Sequence, residues 1–368
     1  MESFRNRLHK FKKFFLCKKI ITKPKINKLL IYDESRSVEF KKIIKNRNAS
    51  VLSIRGERLN LYVLVKSILK NFKIIFSLSK LKQSYVLSFI KEVDPKVIIT
   101  YIDNDPFFYT LKKYFPKKIF ISVQNGYRFY KQDLFCTLQE KKMKNLSCDY
   151  IFCFNKDVAK HYKKYIKCKT LAVGSVKNNS VKKKINKNKN MCLFISSYGI
   201  SNLSLEKKLL PKVIDFCKDF SLELYVLARS YSQEEKEFYF SLNKKIKFLE
   251  KKKYFEYAYS ITDRSSLAIT LNNTLGYESL SRKNKTIFFN INDRELNCNS
   301  YKKFGWPSRN TKNGPFWSNR MVGENVYKLL KKIHLINSEN WKKIFKKYNT
   351  IEYLDNSLLL KVIKKNIS

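Results

Sequence analysis

At 368 residues the sequence is long enough for two domains with separate cores, since single domains usually hold about 100 to 200 residues. With 44% hydrophobic and 15% aromatic residues but only 8 Gly and 7 Pro, it is excluded from the disordered and low-complexity classes. Its 77 Lys and Arg against 30 Asp and Glu give a formal charge of +47, which attracts phosphate-rich ligands, nucleic acid or an anionic membrane surface.

The lysines run along the whole chain among many Ile, Asn, Phe and Tyr, so the charge fits the drift of a compositionally biased genome equally well. They do not cluster on one element as a nucleic-acid footprint would, and nucleic acid is not an expected partner.

Residues 1–25 form a basic leader. Within it, 4–20 (FRNRLHKFKKFFLCKKI) suits either a segment lying on an anionic bilayer or a frayed, solvated one. The leader has no signal-peptide h-region, and no stretch of the chain reaches the roughly 18 to 20 apolar residues of a membrane span. The expected location is the cytoplasm, with peripheral contact at the inner face of the plasma membrane left open.

Residues 26–176 then alternate short apolar runs with helix-length polar segments, the signature of βα units and parallel sheets. The runs are 28–33, 50–54, 97–103, 119–126, 150–155 and 170–175, and together they predict one six-stranded sheet. Residues 177–190 (KNNSVKKKINKNKN) break the pattern with Lys and Asn and read as a linker. The alternation restarts in 191–335, with strands at 191–197, 222–229, 246–250, 267–271 and 285–291 and crossover helices over 206–220 and 232–245. Residues 336–368 read as two closing helices. The fold class is therefore α/β, with two Rossmann-like doubly wound parallel-sheet domains facing a central cleft, and ligands are expected beyond the carboxyl ends of the strands.

Several chemistry-bearing residues follow strands directly. In the segment 263–290, Asn272, Asn273, Thr274 and Gly276 lead from a strand into a helix that carries Glu278. Gly276 admits close backbone approach, and the helix amides and the Thr274 hydroxyl can hold phosphate oxygens. Glu278 can accept from sugar hydroxyls. The competing reading is that Asn and Thr simply cap the helix. Arg229, ending its strand, can neutralise a diphosphate or form a surface salt bridge with Glu234 and Glu235.

In the first half Asp33, Arg55, Glu57, Asp103, Asp105, Gln124, Asn125 and Arg128 line the opposite wall. Asp103 and Glu57 are the candidate bases toward an acceptor hydroxyl, although Asp-Asn-Asp-Pro at 103–106 is also ordinary turn chemistry. The loop 293–320 offers Phe304, Trp306, Phe316 and Trp317 for stacking on a base or sugar, with Arg309 and Arg320 for charge, or packs on itself.

The eight cysteines form no CxxC pair, several sit in apolar runs, and His9, His161 and His334 are scattered, so no metal is expected. No Walker loop, GxSxG elbow or HExxH motif is present.

The segments LLIYDESRSVEF (29–40), SIRGERLNLYVLVKS (53–67), VIITYIDNDPFFYTL (97–111), ISVQNGYR (121–128), VGSVKNN (173–179), DRSSLAITLNNTLGYESLSR (263–282), and FGWP with GPFW (304–307, 314–317) resemble bacterial surface polysaccharide biosynthesis proteins with GT-B glycosyltransferase-like halves. The resemblance implies a lipopolysaccharide-type pathway and a nucleotide-sugar donor in the second half, on Arg229, Ser265, Thr274, Gly276 and Glu278. It leaves Arg55, Gln124, Asn125 and Arg128 to a glycan or lipid-linked acceptor. No cofactor or metal is implied, the leaving diphosphate being held by helix amides and cations. A carboxylate pair of the E-x7-E type is missing, because Lys285 stands seven residues after Glu278. The alternatives are a polyol-phosphate transferase, a nucleotide-sugar epimerase on the same fold, or a basic nucleic-acid or membrane binder.

Overall fold

The computed structural model describes residues 16–70, 72–128, 144–183, 187–199, 203–250, 252, 254–271, 273–289, 304–307, 313–318, 323–348 and 350–368. The first half contributes β1 (Lys18–Ile20), β2 (Leu29–Tyr32), β3 (Ser50–Leu52), β4 (Arg58–Asn60), β5 (Val97–Thr100), β6 (Ile119–Val123), β7 (Leu146–Cys153) and β8 (Ile166–Ala172). All pairings are parallel. Strands β3-β2-β5-β6-β7-β8 form one sheet, and β1 pairs with β4 in a small separate one. Residues Lys18–Ile20 of the basic leader are thus a strand docked on the first half.

The second half contributes β9 (Asn188–Ile195), β10 (Glu223–Leu227), β11 (Lys247–Leu249), β12 (Ser265–Thr270), β13 (Thr286–Phe289) and β14 (Trp317–Ser318), ordered β11-β10-β9-β12-β13-β14, again all parallel. Every residue of β2, β5 and β13 is buried. Continuous burial explains why these strands read as unbroken apolar runs, since helices cover both faces of a parallel sheet. The sheets change direction between β2 and β5 and between β9 and β12, the positions at which open α/β sheets form a crevice.

Helix Leu203–Asp219 runs through Pro211, and its Leu209, Leu210, Val213 and Phe216 are buried against the second sheet. Helices Gly323–Leu335 and Ser338–Tyr348 extend that core through Leu330, Ile333 and Trp341. The final helix, Ser357–Ile367, instead returns to the first half. Its Leu359 and Ile363 pack with Leu29, Ile31, Phe40 and Ile99.

The Lys- and Asn-rich segment after residue 176 is more embedded than its composition predicts. It opens with a short helix, Val176–Asn179, and Asn178 is fully buried, donating to Ser281 Oγ. Lys187 donates to the Ser265 carbonyl. Arg282, fully buried beside Asp263, donates to the carbonyls of Val181 and Lys182 and stacks its guanidinium over Tyr353. One cation therefore gathers both chain crossings between the halves, sharing the Val181 carbonyl with the Tyr353 hydroxyl.

Candidate functional site

At the carboxyl end of β12, Asn273 caps helix Thr274–Ser281 by accepting from the Leu275 amide, and its own amide group donates to the Ser196 carbonyl at the end of β9. The Thr274 hydroxyl accepts from the Tyr127 amide of the first half at 2.9 Å. The capping role of this turn is thus realised, with Thr274 standing where the two halves meet. Asn272 lies outside the described residues.

The backbone at Gly276 is closed in by the protein itself. A Cβ there would lie 2.5 Å from Thr270 Cγ2 and 3.2 Å from the Phe288 ring, so glycine is required for close packing of helix on strand. Ser265 stands at the amino end of β12, away from the crevice, and its hydroxyl donates to the Thr262 carbonyl. The sequence groups it with Thr274 because the apolar run begins after it; the strand begins on it.

Glu278 lies one turn into the helix and only 5% exposed, accepting from Ser175 Oγ across the halves. Burial pushes its carboxyl above the ordinary range, although the Ser175 bond, Lys177, the Tyr259 hydroxyl and Arg36 all favour the charged form.

The end of β10 carries an anion of its own. Glu235 accepts from the amides of Arg229, Ser230 and Tyr231 at 2.7 to 2.9 Å and from Ser196 Oγ. Burial opposes its charge, but these donors outweigh burial and hold the carboxyl below its ordinary value. Glu206 takes the Ser197 amide and the Tyr239 hydroxyl, and burial raises its pKa. With its amide taken by Glu235, Arg229 sends its exposed guanidinium to the Tyr198 carbonyl. Burial, and then Arg36 of the opposite half, lower the Arg229 pKa, while Glu235 and Glu206 raise it.

Arg36, which the sequence reading passed over, holds a left-handed φ of 59° before helix Ser37–Ile43. It is exposed, and no carboxylate lies within ion-pair distance of it among the described residues.

On the first-half wall, Asp33 is buried at a φ of 87° and accepts from Arg55 Nε at 2.6 Å, while Glu34 accepts from Arg58 Nε and Ser53 Oγ. Asp103 is fully buried and takes the Asn125 amide, the Arg128 guanidinium and the Tyr162 hydroxyl. Arg128 also donates to Asn125 Oδ1. Gln124 accepts the Phe154 amide and donates to the Gly126 carbonyl, which fixes the loop after β6. Asp105 accepts from the Tyr32 hydroxyl. Glu57 is half-buried, and its carboxylate accepts only the Arg55 amide among the described residues.

Phe304, Trp306, Phe316 and Trp317 are buried in the cores, so the described part of that loop is packed. Arg309 and Arg320 lie outside the described residues. Among those residues no group of three or more His, Cys, Asp or Glu is placed to hold a metal, and no helix is long and apolar enough to cross a membrane.

Two parallel α/β sheets whose strand ends meet across one crevice give the architecture of GT-B enzymes. The chain belongs to the family described as "putative O-antigen biosynthesis protein", matched over residues 121–208 and 201–367. Among solved structures it is similar to the UDP-GlcNAc 2-epimerase from Neisseria meningitidis bound to UDP-GlcNAc, at 10% identity and a TM-score of 0.55, with 95% of this chain and 99% of that one covered. The S. aureus MnaA–UDP structure matches at 12% identity and a TM-score of 0.54, covering 95% and 96%. The wall teichoic acid polymerase TagF matches at 10% identity and a TM-score of 0.51, covering 99% and 97%. No curated protein matches by sequence.

Proposed function

We propose that the protein is an enzyme of surface polysaccharide synthesis, a glycosyltransferase that moves a sugar from a nucleotide-linked donor to a glycan or lipid-linked acceptor. The observation that carries this reading is the meeting of the halves at Thr274, whose hydroxyl accepts from the Tyr127 amide at 2.9 Å, together with the exposed cations Arg36 and Arg229 that follow β2 and β10, Arg36 having no carboxylate in ion-pair distance among the described residues. Exposed cations at the strand ends of a cleft gain from a ligand of opposite charge, and a diphosphate supplies it.

In this reading Arg229 and Thr274 hold the donor beside Glu278, and the wall of Arg55, Asn125 and Arg128 receives the acceptor. Its hydroxyl attacks the anomeric carbon, the bond from that carbon to the diphosphate oxygen breaks, and the nucleoside diphosphate leaves with the electron pair. Of the two candidate bases, Glu57 is the freer to take the hydroxyl proton. Asp103, already accepting three donors, acts as a positioning residue for Arg128.

The test is a thermal-shift series with UDP, CDP, CMP and GDP sugars on the native protein and on Arg36→Ala and Arg229→Ala. One nucleotide class should stabilise the native protein by about 2.7 kcal/mol at 100 times its dissociation constant. The shift should shrink in both variants. Absence of any shift would overturn the donor site, and product formed from donor alone would replace transfer with epimerisation.

A further inference from the structure

Helix Leu61–Lys70, the following turn Phe72–Phe76 and the start of helix Leu78–Val93 leave a row of large apolar side chains outside the core. Val65 is 53% exposed, Leu69 81%, Phe72 64%, Phe76 81% and Leu78 73%. Val65 and Leu69 lie one turn apart on the first helix, whose Val63 and Ser67 are buried, and Phe72 and Phe76 stand on the turn that follows. The Phe72 and Phe76 rings meet edge to face at 6.4 Å, so they form one ridge. Large exposed apolar side chains grouped on adjoining elements mark an interaction site, whereas scattered single residues do not.

The charge around the ridge identifies its partner. From Arg58 to Lys91 the sequence contains no Asp or Glu but six lysines. Lys66 is turned to Glu92. Lys70, Lys73, Lys80 and Lys82 are exposed and have no carboxylate within ion-pair distance among the described residues. An apolar ridge flanked by unneutralised lysines combines shallow burial in acyl chains with attraction to anionic headgroups. A protein partner would have to match both the ridge and the cations with a shaped acidic surface, whereas a bilayer presents both chemistries together.

We propose that the ridge Val65–Leu69–Phe72–Phe76–Leu78 is a peripheral docking surface for an anionic lipid bilayer. The surface uses none of the residues assigned above to the crevice, and it belongs to the half given there to the acceptor.

Sedimentation of the full-length protein with phosphatidylcholine vesicles, with and without phosphatidylglycerol, tests it. Binding should require phosphatidylglycerol, weaken with salt, and fall about tenfold or more in the double variant Phe72→Ser/Phe76→Ser, whose exposed positions leave the core intact. It should fall again in Lys70→Ala/Lys73→Ala, and should persist in a variant lacking residues 1–15. Binding that survives both ridge substitutions, or vanishes only with the leader, would overturn the proposal. So would a concentration-dependent dimer, abolished by the phenylalanine pair, in a protein that ignores vesicles. Nucleotide-sugar binding should be unchanged in the ridge variants, which separates failure here from failure at the crevice.

Discussion

Tyr127 of the first half and Tyr277 of the second stack face to face across the crevice, with ring centroids 3.6 Å apart and planes 12° from parallel. Beside them the Tyr127 amide donates to Thr274, and the Tyr127 hydroxyl donates to the Trp306 carbonyl. The contact ties the first turn of the second-half helix to the loop that follows β6. In a double-mutant cycle with Tyr127→Leu and Tyr277→Leu, followed by denaturant unfolding, we expect a coupling of about 0.5–1.5 kcal/mol beyond the single losses. Purely additive losses would show that the rings pack independently.

Arg282 and Asp263 are both fully buried. Removing only the cation leaves the Asp263 carboxylate buried without its guanidinium, with Asn284 as a neutral donor, so Arg282→Ala should cost about 3–5 kcal/mol in equilibrium unfolding. A loss under 1 kcal/mol would mean that water reaches the site and replaces the guanidinium.

Gly276→Ala should destabilise by about 1–3 kcal/mol, because the new methyl meets Thr270 Cγ2. Thr270→Ser removes that methyl and should restore part of the stability, measured as a shift in melting temperature of the double variant against the single one. Absence of rescue would place the strain on the Phe288 side.

Glu278 carries a pKa raised above 4.5 by burial. The folded protein therefore holds this proton to higher pH than the unfolded chain does. The group's contribution to stability is full below 4.5 and is lost as pH rises through the folded value. Glu278→Gln keeps an acceptor for Ser175 Oγ and removes the titration. The melting temperature of the variant relative to the native protein should accordingly climb as pH rises above 4.5, and a flat difference would contradict the shift.

The two sheets were legible because each main strand is a buried apolar run, from LLIY at β2 to TIFF at β13. Strands β1, β4 and β14 were not. They are two or three residues long, and KKI and RLN carry charge where the apolar signal would have to be. Asp33, Asp103, Arg229 and Thr274 do lie just beyond the carboxyl ends of strands, a placement that topology alone makes legible.

What each residue does there depends on contacts distant in sequence. Glu235 fills the amides after β10 that a phosphate would otherwise take, and Thr270 rather than a ligand demands the glycine at 276. Arg36 escaped notice because Asp-Glu-Ser-Arg after β2 reads as an ordinary turn. That it stands exposed with no carboxylate in ion-pair distance among the described residues is a property of the fold.

The last helix closes the core of the half to which it is not adjacent in sequence, and Lys96 fastens the terminal Ser368 carbonyl. The two halves are therefore not separable as clones. A fragment ending at the crossing near residue 183 lacks the lid over Leu29 and Ile99, and the complementary fragment carries that lid with nothing to cover. Cleavage of the crossing should instead yield a nicked protein whose pieces migrate together until denatured. During synthesis, the first half can complete its core only when the ribosome has finished the second.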